Sequence, residues 1–209
     1  MKKTMMKSIL ATTMLFSVVL GNGAITSAAA VTPTATTKPA ATSAPIMRDN
    51  LFKFGLKKEV DLPVTITAGG LSYTLEKLMV YDVKSKDAQA LIKKYGYREQ
   101  VFKQATKYMV WTKITIENKS QNLIQLTSKS PDSKWIINSN GSNLAGSMPK
   151  LKADEINSKE ALWNWKLQPG QKLSTYQMYV STEDITNLKI LIYYNGGFDE
   201  KIIVKRQGE

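Results

Sequence analysis

"YMVWTKITIENKSQNLIQL", Tyr108 to Leu126, alternates apolar and polar residues and then breaks at Asn118-Lys119-Ser120. Successive side chains of a strand point to opposite faces. Val110, Thr112, Ile114 and Ile116 therefore share one side, and Trp111, Lys113, Thr115 and Glu117 share the other. Asparagine and serine hydrogen-bond their own backbone and favour turns, so the break predicts a turn. After it, "LIQLTS" is expected to return as the second strand of a hairpin. On this reading Ile114 and Ile116 point into a core, and Lys113 and Lys119 stand outward as a candidate binding surface.

The same grammar recurs on both sides. "VTITAGGLSYTLEKLMVYDV" (Val64 to Val83) reads as two β-rich segments about Gly69-Gly70. "KWIINSNGSNL" places Trp135 and Ile137 on one face ahead of an Asn140-Gly141 turn. "QPGQKLSTYQMYV" opens with Pro169-Gly170 and sets Tyr176, Met178 and Val180 on one side. "LKILIYYNGGFDEKIIVKR" supplies two closing strands about Asn195-Gly196-Gly197. About seven short strands with regular turn signals predict an all-β antiparallel sandwich. One stretch departs from the pattern: Ala88, Leu91, Ile92 and Tyr95 recur at helical spacing. Ser85 or Asp87 can cap that helix and Gly96 can end it. A mobile crossover is expected to follow, with the helix bridging the two sheets or lying over one open end.

The N-terminus carries an address. "MKKTMMK" is basic, Ile9 to Leu20 is apolar, and "GNGAITSAAA" is rich in small residues, the order of a secretory signal peptide. Ala28 and Ala30 fit the small-residue positions, so cleavage is expected near Ala30. The apolar run is too short to span a bilayer, and no other segment approaches the ~20 apolar residues a membrane helix needs. Residues 31–46 are almost wholly Thr, Ala, Pro and Ser, too poor in apolar bulk to repay ordering, and read as a disordered spacer. One folded domain is expected over 47–209.

Composition removes whole classes of chemistry. The chain has no cysteine and no histidine. Disulfides, a lipid-bearing cysteine, Ser-His-Asp triads, thiolate nucleophiles and His- or Cys-ligated metals are therefore excluded. Export without cysteine fits a Gram-positive secretome. Adjacent acids such as Glu183-Asp184 lie in predicted loops without a motif, so no catalytic residue is expected and the chain reads as a non-enzyme. Neither "DSKWIINSNGSN" nor "NGGFDE" matches a calcium loop, and no cofactor or metal is implied. Loss of Lys2, Lys3 and Lys7 with the leader lowers the net charge from +12 to +9. That favours weak attraction to anionic surfaces, but the lysines form no dense cluster of the kind nucleic-acid patches need.

With these motifs in place a resemblance can be stated. "MVWTKITIENKSQNLIQLTSKSPDSKWIINSNGSNL" followed by "LQPGQKLSTYQMYVSTEDITNLKILI" resembles the DUF4352-type immunoglobulin-like domains of secreted Gram-positive bacterial proteins. The likeness covers roughly Leu71 to Lys205. It implies an immunoglobulin-like sandwich outside the cytoplasm and no particular activity. Many such domains follow a lipobox cysteine, which this chain lacks, and the Ser85–Lys107 insertion is longer and more helical than usual.

Two functional expectations follow. The first is a secreted, non-catalytic interaction module at the cell envelope or in the medium, with an extracellular protein or a cell-wall polymer as partner. The second is a carbohydrate- or anionic-polymer-binding module. Its candidates are Trp163 and Trp165, two apart in "ALWNWKLQPG" and so on one side of a strand, with Lys113 and Lys119. The paired indoles suit either a sugar-stacking platform or one edge of the core. Trp111, opposite Val110 and Ile114, is either an exposed aromatic or a residue packed under the helix.

Overall fold

The computed structural model describes residues 46–97, 105–127, 129 and 132–208. The expected leader, the cleavage site near Ala30, the spacer up to residue 45 and most of the crossover after Gly96 lie outside them. The strands are β1 (Leu56–Lys58), β2 (Val64–Ala68), β3 (Leu71–Asp82), β4 (Tyr108–Asn118), β5 (Ile124–Leu126), β6 (Trp135–Ser139), β7 (Ser142–Asn143), β8 (Ala145–Gly146), β9 (Trp165–Leu167), β10 (Lys172–Ser181), β11 (Asn187–Tyr194) and β12 (Gly197–Arg206). One α-helix, α1 (Lys86–Tyr95), separates β3 from β4.

Two five-stranded antiparallel sheets carry the architecture, in the orders β1-β12-β11-β6-β7 and β2-β3-β4-β10-β8. Their inner faces enclose one core. Ile66, Tyr73, Val80, Val110, Ile114, Ile116 and Leu173 come from one sheet, and Leu56, Trp135, Ile137, Ile190, Ile192 and Val204 from the other. The expected all-β sandwich with a short helical insertion is what the chain forms. The strands are more numerous than the expected seven, because β1, β7, β8 and β9 are too short to show any alternation in sequence. A bulge between Leu75 and Lys77 shifts the inward parity of β3, from Leu71, Tyr73 and Leu75 to Leu78 and Val80.

The hairpin expected at Asn118-Lys119-Ser120 does not form. β4 pairs with β3 on one side and β10 on the other, so neither of its hydrogen-bonding edges is left for β5. β5 pairs instead with β9 and brings Ile124, Trp165 and Leu167 into the core. Asn118 makes the departure. Its Nδ2 donates to the carbonyls of Asn122 at 2.7 Å and Leu167 at 2.8 Å, and its Oδ1 accepts from the Ser120 N–H at 2.9 Å. The side chain is fully buried, so the turn is a structural junction.

Helix α1 has the expected ends. The Ser85 hydroxyl accepts from the Ala88 N–H at 3.3 Å, and Gly96 closes the helix at φ +63. Its position differs from both expectations: it neither bridges the sheets nor covers an open end. Ala88, Leu91, Ile92 and Tyr95 lie on the outer face of the β2-β3-β4-β10-β8 sheet, against Met79, Tyr81, Met109, Trp111, Met178 and Val180. Those strand residues belong to the parity opposite the central core, so strands β3, β4 and β10 are apolar on both faces and serve two cores.

Candidate functional site

The tryptophans singled out from the sequence hold the protein together. Trp165 is 1% exposed and stacks on Trp135 with ring centroids 5.1 Å apart, and Trp135 meets Tyr73 at 5.4 Å. Trp163 is half-buried and lies outside β9, so the two do not form an exposed pair. Trp111 is fully buried between Tyr95 at 5.5 Å and Tyr176 at 5.6 Å, both nearly parallel to it. Each indole shields ~150–250 Å2 of apolar surface, which fits core packing and leaves no platform for a ligand at Trp111 or Trp165. Lys113 is engaged with Glu76 at 3.9 Å and Lys119 with Glu117 at 3.8 Å, and Glu117 also holds Lys172 at 3.4 Å. These lysines sit among partly exposed ion pairs, a weak and solvated arrangement. The expected surface of Trp163, Trp165, Trp111, Lys113 and Lys119 is not brought together.

A different surface is. The sheet β1-β12-β11-β6-β7 turns its inner face to the core through Ile190 and Ile192, so the intervening residues of β11 face outward. Strand register lays them out in rows. Tyr193 stands opposite Phe198 on β12, and its N–H donates to the Lys134 carbonyl at 2.8 Å. Leu191 lies between Ile136 and Glu200, and Lys189 between Asn138 and Ile202. Tyr193, Phe198 and Ile202 are 43%, 53% and 44% exposed. The Tyr193 and Phe198 rings are 4.9 Å apart and inclined at 38°, forming one aromatic surface open to solvent.

Two shallow depressions flank this face. One, of about 490 Å3, is lined by Asp132, Lys134, Tyr193, Asn195 and Phe198. The other, of about 430 Å3, is lined by Asn138, Asn187, Lys189, Ile202 and Lys205. Tyr193 and Lys189 are four residues apart on one strand, so the face runs for roughly 13 Å between them. Its charges are largely answered: Lys189 pairs with Glu200 at 3.0 Å, and Lys134 lies over the Tyr194 ring at 5.9 Å. The arrangement offers an aromatic plate at one end, amides at the other and a paired charge between. It suits binding of an extended partner.

The sequence held a signal for this face. In "LKILIYY" both strand parities are apolar, since Leu191 and Tyr193 alternate with Ile190 and Ile192. A strand apolar on both faces needs two covers or leaves one face to a partner. Among the described residues the one α-helix, α1, is placed on the other sheet.

Among the described residues no group of three or more His, Cys, Asp or Glu side chains could hold a metal ion, and no helix is long and apolar enough to cross a membrane. No family model matches the chain, and no curated protein matches it. Several solved structures do. The yjhA protein of Bacillus subtilis is 14% identical, with 62% of this chain and 76% of that one covered and a TM-score of 0.38. A candidate lipoprotein, ycdA, of Bacillus subtilis subsp. subtilis str. 168 is 7% identical over 71% of this chain and 40% of its own, with a TM-score of 0.46. A functionally unknown protein of Listeria monocytogenes EGD-e is 10% identical over 71% and 85%, with a TM-score of 0.42.

Proposed function

We propose that this chain is an exported, non-catalytic binding module acting at the cell envelope or in the medium. Its binding face is the outer face of the β1-β12-β11-β6-β7 sheet. The observation that carries this reading is the exposed Tyr193–Phe198 pair, with Ile202 also exposed on the same sheet face. The signal-like leader and the absence of cysteine support export.

A second reading names the partner as a carbohydrate or wall polymer. The inclined ring pair favours it, because exposed aromatic rings offer flat apolar surface to sugar rings while neighbouring amides and lysines meet hydroxyl or acidic groups. The stacking residues are then Tyr193 and Phe198, in place of the buried Trp111 and Trp165.

The test is sedimentation of the mature protein with purified cell walls across a salt series. Attachment that persists at high salt is expected, since ring stacking and apolar contact are not screened. Attachment that vanishes with salt would reduce the interaction to the net positive charge of the chain, and the proposed face would then have no role in it.

A further inference from the structure

We propose that Asn195 is a site of spontaneous deamidation, and that Asn140, in the same Asn-Gly dipeptide, is protected by the fold. This inference is independent of the binding function and rests on a difference between two turns of equal sequence. In each turn the asparagine is left-handed, at φ +53 for Asn140 and +47 for Asn195, and the glycine follows at +83 and +74. Local backbone geometry therefore does not distinguish them.

Their hydrogen bonds do. At the first turn both reacting groups are held. Asn140 Nδ2 donates to the Asp184 carbonyl at 2.6 Å, and its Oδ1 accepts from the N–H and hydroxyl of Thr186. The Gly141 N–H donates to Asn138 Oδ1 at 3.1 Å. At the second turn the Asn195 amide and the Gly196 N–H make no hydrogen bond to any described residue. Asn195 is exposed at a hairpin tip.

The reaction needs only water. The Gly196 backbone nitrogen attacks Asn195 Cγ, its proton and the side-chain amide leave as ammonia, and a cyclic succinimide forms. Water then opens the ring at either carbonyl, giving aspartate or isoaspartate at position 195. Glycine speeds ring closure because it has no side chain to crowd the attacking nitrogen. At Asn140 the same attack must first break the bonds to Asp184 and Thr186 and free the Gly141 N–H.

The product changes the candidate face. A carboxylate appears in the depression lined by Lys134, Tyr193 and Phe198. Isoaspartate also adds a backbone carbon to a turn seated tightly on its neighbour: a Cβ built at Gly69 would lie 2.8 Å from Asn195 Cβ and 2.3 Å from the Tyr194 carbonyl oxygen.

The experiment is peptide mapping by mass spectrometry, with isoaspartate-specific methylation, on the folded chain held at mildly alkaline pH. The Asn195 peptide is expected to convert roughly tenfold or more faster than the Asn140 peptide, the ratio that the loss of one or two net hydrogen bonds provides. In denaturant the two rates should converge, and Thr186→Val should raise the Asn140 rate in the folded chain. Equal conversion in the folded chain would overturn the proposal, as would a ratio that survives denaturation.

Discussion

The outer faces of the two sheets differ in what becomes of their apolar residues. On β2-β3-β4-β10-β8, Met79, Met109, Trp111, Met178 and Val180 disappear beneath α1 and its tyrosines. On β1-β12-β11-β6-β7, Tyr193, Phe198 and Ile202 meet solvent directly. Both faces carry aromatic groups of similar size on outward strand positions. Burying such a ring stabilises a fold by some 1.5–3 kcal/mol relative to leaving it exposed. The first set therefore contributes to stability, and the second is available for binding. An aromatic strand residue marks a ligand surface only where nothing in the chain covers it.

That contrast can be broken at its strongest point first. Trp111→Ala should cost about 3–5 kcal/mol in denaturant unfolding, because it removes the middle ring of the Tyr95–Trp111–Tyr176 stack and leaves a cavity beneath α1. A cost near zero would mean that the helix does not cover this face in solution.

Alkaline pH probes the same layer. Burial, with the Glu160 carboxylate and Tyr176 nearby, pushes the Tyr95 phenol from its usual 10.0 up to about 12. Below pH 10 the phenol is protonated in both folded and unfolded chains, and its contribution is complete. As pH rises toward 12 the unfolded chain ionises first, so stability falls across that window by on the order of 2 kcal/mol from this group. Unfolding measured at stepped pH should show the decline, and Tyr95→Phe should reduce it. The Tyr95 hydroxyl is buried without a hydrogen-bond partner among the described residues, so that variant should fold at least as stably as the parent at neutral pH.

The helix start gives a smaller effect. Ser85→Ala removes the acceptor for the Ala88 N–H and should lower stability by about 1 kcal/mol, read as a shift in denaturant midpoint. Smallest of all should be Tyr193→Ala and Phe198→Ala on the bare face. Each removes one side of a cross-strand pair and should change stability by less than about 1 kcal/mol. A large loss from either would show that the rings belong to the core.

The sandwich was legible because Ile114, Ile116, Ile190 and Ile192 keep strict strand parity and turn residues fall at Gly69-Gly70, Asn140-Gly141 and Asn195-Gly196. The helix was legible from its spacing and caps, and Trp111 beneath it was one of the two readings of that residue, but the outer sheet face as its seat was not legible. Placing it requires knowing that β3, β4 and β10 are neighbours, a non-local fact that appears in sequence only as apolar residues on both parities. The Asn118 turn misled for a related reason. Turn chemistry records that the chain bends and not which strand it will join, and both edges of β4 are taken by distant segments. The candidate site shifted because an isolated tryptophan reads the same whether covered or bare, whereas Tyr193 and Phe198 sit in a run that looks like ordinary core. Burial decides between them, and burial is a property of the assembled sheets.

The most direct test of the bare face compares wild type with a Tyr193→Ala/Phe198→Ala double variant in binding to purified cell walls at high salt, with the fold of each checked by thermal unfolding. Wild type is predicted to stay bound, and the double variant to be released while unfolding at nearly the same temperature. A double variant that binds as tightly as wild type would contradict the account.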